Sequence, residues 1–114
     1  MKGRRRVTNT QLKAVVYAAT SELHGTGLFA FRRIAAGAYI GTFAGPEVRR
    51  DGVYVLWVYE PGREDEPTGR SGRNLLRYLN HAASCNAAFD GFDLYASRSI
   101  GRDEEITIDY GWAE

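Results

Sequence analysis

The apolar positions of this chain fall into short runs separated by glycine and polar turns. Residues 12–20 are rich in amino acids that favour β geometry, and they are followed by a turn cluster over residues 21–27. An apolar run resumes at residues 28–31, and another strand is predicted over residues 39–43 before the break at Gly45-Pro46. Short strands separated by glycine turns predict a mostly β fold.

The middle of the chain combines the longest apolar run with the longest polar one. Residues 53–59 are all β-branched, aromatic or leucine, and we predict a central strand that is buried on both faces. Residues 60–74 contain no large apolar side chain but two prolines, three glycines and seven charges. They predict a loop or short insertion, because too little chain follows to build a second core.

The last third of the chain predicts one or two helical turns and then three strands. Leucines at helical spacing over residues 75–79 follow Asn74, a possible N-cap. Residues 87–96 read as a hairpin whose tight turn is supplied by Asp90-Gly91. Apolar and polar residues alternate over residues 106–110, a period of two that is typical of a half-buried strand.

Composition narrows the classes of protein that this chain can be. Its 114 residues and 44% apolar content predict one ordered domain. A single cysteine, Cys85, excludes an intrachain disulfide and a multi-thiolate zinc site, and the two histidines fit no metal motif, so no metal is predicted. No apolar run approaches the roughly 20 residues that cross a bilayer, and no signal peptide is recognisable. We therefore expect no membrane association and a cytosolic-type compartment.

Charge divides the chain into a basic tail and an acidic body. Residues 1–13 hold five of the fifteen cations and no acid, although the net charge is only +1. From residue 14 onward, ten Lys and Arg face fourteen Asp and Glu. The tail is interpreted either as a contact for nucleic acid or as a solubilising terminus. The acidic body suits a cationic substrate.

Three polar segments are candidates for chemistry. Gly25-Thr26-Gly27 is either an ordinary turn or a place where backbone approaches a ligand. Asn80-His81, with Asn86 nearby, either reads a ligand or satisfies backbone groups in a tight connection. The C-terminal Tyr110 is either a packed edge residue or a group that orients a reacting atom.

Taken together and in this order, the three segments resemble the SET domain of protein lysine methyltransferases. The family's G-x-G motif, Asn-His segment and terminal D-Y-G motif correspond to residues 24–30, 77–86 and 103–111. Two connectors, residues 34–40 and 96–100, also match, so that the likeness extends over about residues 14–111. It implies a basic tail over residues 1–13 and a single SET domain over residues 14–114, without the zinc-binding flanks found in many members.

The resemblance implies several small sheets, short helical turns and a C-terminal pseudoknot, in which the last segment threads beneath the Asn-His loop. It also implies S-adenosylmethionine as cofactor and Tyr110 as the catalytic tyrosine. The cofactor-binding residues it implies are His24, Gly25, Thr26, Gly27, Leu28, Arg77, Asn80, His81, Tyr110 and Trp112. The residues of the substrate channel would be Phe43, Phe89 and Ile108.

Some positions depart from the family pattern. Ala82 and Cys85 replace serine and proline in the Asn-His segment, and Phe43 stands where many members have tyrosine. Aliphatic Ile108 stands where members use Phe or Tyr to limit methylation, which implies di- or trimethylation. Trp112 is interpreted either as a cover for the cofactor's adenine or as an anchor for the last strand.

The resemblance predicts a lysine methyltransferase acting on a histone-like or other basic protein, in the cytoplasm of a microbe or in a eukaryotic nucleus. A homodimer is expected to supply the missing cofactor cover. Two other functions stay open. One is a catalytically silent SET-like interaction module, and the other is a small nucleic-acid binder that uses the basic tail.

Overall fold

The computed structural model describes residues 9–109, with the side chains of residues 11–109. The elements, in chain order, are α1 (Asn9–Leu12), β1 (Val16–Thr20), β2 (Thr26–Ala30), β3 (Tyr39–Thr42), β4 (Glu47–Val48), β5 (Val55–Val58), β6 (Thr68–Ser71), a 3₁₀ helix (Leu75–Tyr78), β7 (Asn80–His81), β8 (Ala87–Asp90), β9 (Asp93–Ala96) and β10 (Glu105–Ile108). The predicted mostly β fold is confirmed.

The strands form three small sheets. The first has the order β1-β2-β10-β7, the second β3-β9-β8 and the third β4-β6-β5. Every pairing is antiparallel except that of β10 with β7, which is parallel. Because β5 and β8 each lie at the edge of their sheet, one side of each backbone has no strand partner among the described residues.

The last strand runs against the segment that carries the Asn-His motif. Thr107 is paired with Asn80, and Ile108 is paired with His81. Beyond β7 the same segment bonds to β10 again, because the Ala82 and Asn86 N–H groups donate to the carbonyls of Ile108 (3.0 Å) and Thr107 (3.3 Å). Such a parallel crossing follows from threading the chain end beneath a loop, an exception to ordinary chain topology.

One apolar core lies between the sheets and the 3₁₀ helix. Its fully buried large apolar side chains come from seven different elements and the connector before residue 101. They are Leu12, Val16, Leu28, Ile40, Leu76, Leu94, Ile100 and Ile106. A core drawn from the whole sequence fixes the three sheets relative to one another.

The N-terminal boundary differs from the prediction. A single strand over residues 12–20 was expected, but Leu12 ends α1 and β1 starts only at Val16. The Leu12 side chain is buried in the core and approaches Gly41. Residues 9–13 are therefore part of the folded domain and not of a basic tail, while residues 1–8 lie outside the described part of the chain.

The long apolar run is not a central strand. Only residues 55–58 pair, and they form an edge strand, while Val53 and Tyr59 are 92% and 63% exposed. The centre of the third sheet is instead β6, which lies in the segment predicted to be a loop. The Trp57 ring packs against Gly69 of this strand, and a Cβ atom on Gly69 would lie 2.7 Å from the ring. Side-chain packing thus stabilises β6 as a strand, although the β propensity of its own residues does not favour one.

The predicted helical turn and hairpin are confirmed, with small changes in detail. Asn74 precedes the 3₁₀ helix but makes no side-chain cap, because its amide donates to the Thr42 carbonyl (2.8 Å). In the β8–β9 hairpin, Gly91 takes the left-handed conformation at φ +62°, whereas Asp90 belongs to β8. No helix within residues 9–109 has the length and apolar character of a membrane span.

Candidate cofactor and substrate sites

The glycine segment forms the turn between β1 and β2. The Ser21 N–H donates to the Gly25 carbonyl (2.7 Å), and the Ser21 hydroxyl accepts from the N–H groups of Leu23 (2.9 Å) and His24 (3.3 Å). Gly25 has φ +45°, a conformation that residues with a Cβ rarely adopt. The turn leaves the side chains of Leu23 and His24 exposed.

Gly27 is needed for contact with another part of the protein. A Cβ atom at this position would lie 2.3 Å from Oε2 of Glu105 and 2.9 Å from Cβ of Ser21. The Glu105 carboxylate is held there by the Ser21 hydroxyl (2.8 and 2.9 Å) and by Nδ2 of Asn80 (2.9 Å). This glycine therefore makes room for a partly buried carboxylate network and does not line the groove described below.

Asn80 ties the glycine turn to the Asn-His segment. Its Nδ2 donates to the His24 carbonyl (2.9 Å) and lies 3.4 Å from the Thr26 carbonyl, in addition to its bond with Glu105. The interpretation that this amide satisfies backbone groups in a tight connection is correct for its NH₂ group. It also means that the two motifs, more than fifty residues apart in sequence, are in direct contact.

A groove of about 450 Å³ opens between these two motifs, and we call it the glycine-turn groove. The predicted cofactor residues that line it are His24, Gly25, Thr26, Arg77, Asn80 and His81. Leu28 does not, because its side chain is buried in the core. Tyr110 and Trp112 lie outside the described residues. Sequence reasoning missed the apolar wall formed by Leu23, Val53 and Tyr54.

Arg77 places a fixed positive charge beside this groove. Its Nη1 donates to the carbonyls of Asn74 (3.0 Å) and Arg73 (3.2 Å), and its Nη2 donates to the Tyr78 hydroxyl. The guanidinium carbon lies 4.3 Å from the centroid of the Tyr78 ring and 5.9 Å from that of Tyr54. A cation held by several partners attracts a ligand carboxylate with little further loss of entropy.

The three predicted channel residues lie together. Phe43 and Phe89 meet edge to face with their centroids 6.0 Å apart, and with Ile108 they line a narrow cavity of about 30 Å³, which we call the passage. Tyr54, Arg77 and Leu79 line both the passage and the glycine-turn groove. The passage and the groove therefore share a wall.

The passage also shares a wall with a second groove, which has a volume of about 240 Å³. This β5–β8 groove is lined by Leu56, Trp57, Val58, Ala88, Phe89, Ile108 and Asp109. Leu56, Phe89 and Ile108 line both cavities. The walls come from β5, β8 and the end of β10, so an extended chain in the groove lies beside two strands that are at the edges of their sheets among residues 9–109.

The end of β10 is fixed by a buried amide. Asn86 accepts the Thr107 N–H (2.9 Å) at Oδ1 and donates from Nδ2 to the Glu105 carbonyl (2.9 Å). The neighbouring Glu104 accepts the Gly101 N–H (2.9 Å), which lowers the pKa of its carboxyl group, and Asn86 and Arg98 lower the pKa further against partial burial. These bonds hold β10, and with it Ile108, beside the passage.

Comparison with known proteins assigns this architecture to a family. The SET domain family matches residues 25–111. The methyltransferase domain of human PR domain-containing protein 2 has the same fold, with a TM-score of 0.65 and 21% identity over 90% of this chain and 82% of that chain. The chain belongs to the SET domain family.

Curated relatives are similar over most of this chain. A protein of Aspergillus fumigatus named histone-lysine N-methyltransferase, H3 lysine-4 specific, is 31% identical over 86% of the chain. A protein of the same name from Kluyveromyces lactis and human histone-lysine N-methyltransferase 2D are each 31% identical over 89% of it. The chain spans 10%, 12% and 2% of the length of these three relatives.

Proposed function

We propose that this chain is a protein lysine methyltransferase that uses S-adenosylmethionine. The observation that carries the proposal is the narrow passage, which shares lining residues with the glycine-turn groove and with the β5–β8 groove and so lies between them. A methyl donor and a protein amine reach one another only at such a bore when each binds on its own side. The names of the curated relatives support the same activity.

The glycine-turn groove suits the cofactor in volume and in charge. Its 450 Å³ falls within the range of roughly 300–1,000 Å³ that is usual for small-molecule sites. Arg77 offers a cation to the carboxylate of the cofactor's amino acid part, and Tyr54 offers an aromatic wall. When bound, S-adenosylmethionine supplies an electrophilic methyl group on a sulfonium.

Transfer requires the lysine ε-amine in its neutral form. A free lysine side chain has a pKa of about 10.4, and an apolar passage lowers the pKa because burial disfavours the ammonium. Phe43, Phe89 and Ile108 supply the apolar walls. The passage would hold the neutral amine, the proton that the lysine loses would pass to solvent, and the bound cofactor would supply the methyl group from its sulfonium. The protein contributes alignment and exclusion of water.

Tyr110 is proposed as the catalytic residue that orients the amine. It lies outside the described residues but comes two positions after Ile108, which lines the passage. The substrate is proposed to be a histone-like or other basic protein, and a nuclear or cytoplasmic location stays a prediction. Dimerisation also stays a proposal. It is supported by the exposed Leu23, Val53 and Tyr54 at the rim of the glycine-turn groove.

Calorimetry and methyl transfer to a mixture of basic proteins test the proposal. Wild-type protein should bind S-adenosylmethionine and transfer labelled methyl groups to lysine. Tyr110→Phe should lower transfer on the order of 100-fold, as expected when one transition-state hydrogen bond is lost, while cofactor affinity changes little. Tyr17→Phe is the matched control, because the Tyr17 hydroxyl bonds to Asp103 and lines neither groove nor the passage.

Two results would count against the proposed methyltransferase activity or the catalytic role of Tyr110. If calorimetry detects no binding of S-adenosylmethionine at millimolar concentration, the chain is better described as a catalytically silent SET-like module. If Tyr110→Phe and Tyr17→Phe retain equal activity, Tyr110 has no catalytic role.

A further inference from the structure

A fourth cavity, of about 660 Å³, lies beyond the end of the β5–β8 groove, and we call it the hairpin-end pocket. Its walls come from residues 59–64, which follow β5, and from residues 90–93, which form the turn of the β8–β9 hairpin. Tyr59 and Phe92 contribute aromatic surface, and the acidic residues that line it are Glu60, Glu64, Asp90 and Asp93.

The hairpin-end pocket continues the β5–β8 groove. The groove is lined by residues 56–58 of β5 and 88–89 of β8, and the pocket by residues 59–61, which follow β5, and by residues 90–93, which begin at the last residue of β8. An extended peptide that lies along the groove therefore reaches the pocket at one of its ends. At about 3.3 Å per residue, the three strand positions from Leu56 to Tyr59 correspond to about three residues of an extended peptide.

The pocket walls are held in place by bonds within the protein. Oδ1 of Asp93 accepts the Thr42 hydroxyl (2.6 Å), which is 9% exposed and is bonded in turn to the Tyr39 hydroxyl. Arg70, the basic residue of the lining, donates to the Phe43 carbonyl (2.8 Å) and lies 3.9 Å from the centroid of the Phe92 ring. The pocket is thus pre-formed around oriented carboxylate and aromatic groups.

The charge of the lining selects the class of ligand. Four carboxylates face one guanidinium, although Glu60 shares its charge with Arg63 at 3.7 Å. This field repels nucleic acid and anionic peptides. Within residues 9–109, no three carboxylate, histidine or cysteine groups lie close enough to hold a metal ion. Dispersed carboxylates beside the exposed Tyr59 ring instead suit a long cationic side chain, whereas Phe92 is buried and already faces Arg70.

We infer that the hairpin-end pocket binds an arginine or lysine side chain of the protein substrate, about three residues from the methylated lysine and on one side of it only. The inference rests on the proposed function, because it takes the β5–β8 groove to hold the protein substrate. It makes this pocket a determinant of sequence specificity, separate from the passage that receives the target lysine.

Fluorescein-labelled 13-residue peptides with a central lysine test the inference through binding, independently of turnover. The flanks are neutral, and arginine stands three residues before the lysine, three residues after it, or at neither place. One of the two arginine peptides should bind about tenfold more tightly than the neutral peptide, since several partly exposed charge contacts each contribute a factor of about two to five. Equal binding of all three peptides would overturn the inference, as would no measurable binding.

Paired variants separate the pocket from the overall charge. Glu64→Gln with Asp90→Asn removes two carboxylates from the lining and should reduce the arginine preference to about twofold. Asp65→Asn with Glu66→Gln is the matched control: it removes the same charge from exposed residues of the same loop that do not line the pocket. An equal loss of preference in both pairs would show a general charge effect and overturn the inference.

Methylation of the same peptides is measured in parallel. Arginine-selective binding without methyl transfer would count against the proposed function and leave the pocket assignment intact. Methyl transfer without arginine-selective binding would support the proposed function and overturn the pocket assignment.

Discussion

Gly27 shows how a residue suggested by a binding motif can serve the internal structure. The glycine segment was interpreted either as an ordinary turn or as a place where backbone approaches a ligand, and Gly25 both takes the left-handed conformation in a turn and lines the glycine-turn groove. Gly27 instead gives space to the Glu105 carboxylate, which joins Ser21 and Asn80. The motif is therefore bifunctional: one glycine shapes the turn at the groove and the other admits the network beneath it.

Gly27→Ala is expected to lower the free energy of unfolding by about 1–3 kcal/mol, the usual cost of forcing an extra methyl into packed surroundings. The new Cβ would displace the Glu105 carboxylate from Asn80, so cofactor affinity should fall as well. Urea unfolding and calorimetry measure the two effects.

Gly101→Ala is the control for this substitution, because its Cβ would lie 3.7 Å from Glu104, an ordinary contact. Equal stability of the two variants would mean that the Glu105 network adjusts without cost.

Among the elements, β10 has the most consequence for the site. It pairs with β2 and β7, supplies Ile108 to the passage, and leads to Tyr110. Its alternating pattern predicted the strand, but not its neighbours. The parallel partner β7 has only two residues and no strand signal of its own, so this pairing depends on the threading of the chain.

Asn86→Ala is expected to lower the free energy of unfolding by about 2–4 kcal/mol. The Thr107 N–H and the Glu105 carbonyl would each lose their amide partner, and an unsatisfied buried polar group costs about 1–3 kcal/mol. Urea unfolding tests this, with Ser84→Ala, an exposed change in the same loop, as control. If Asn86→Ala unfolds like the control, the amide does not hold β10.

The third sheet shows where element prediction failed. Residues 53–59 had the composition of a buried central strand, whereas the polar segment of residues 60–74 had that of a loop. The actual order places β6, with the sequence Thr-Gly-Arg-Ser, between β4 and β5. Gly69 is compatible with a strand there because the Trp57 ring covers it. Periodicity and propensity do not report such cross-strand packing.

For the whole molecule, the decisive feature is the alignment of the glycine-turn groove, the passage and the β5–β8 groove. The passage has a volume of only about 30 Å³, so its residues set how much substituent the reacting amine can carry. Ile108, which is buried and aliphatic, leaves more room there than an aromatic side chain would.

Under the proposed function, the wild-type protein is expected to make di- or trimethyllysine, and Ile108→Phe is expected to restrict the product to monomethyllysine. Mass spectrometry of a methylated protein substrate measures the product distribution. Ile108→Val, which keeps an aliphatic wall, should retain multiple methylation. A wild-type product that is monomethylated only, or an Ile108→Phe variant that still adds several methyl groups, would contradict this explanation.

The sequence by itself determined the mostly β class, the hairpin at residues 87–96, the helical turn before Asn80 and the family to which the three motifs point. These depend on local patterns, in which turn residues and alternation act over a few positions. The tertiary structure decided that Asn80 contacts His24, that Gly27 faces Glu105 and that Tyr54 walls the groove. These contacts join distant segments, and they form because burying one common core brings together elements whose local sequences carry no information about each other.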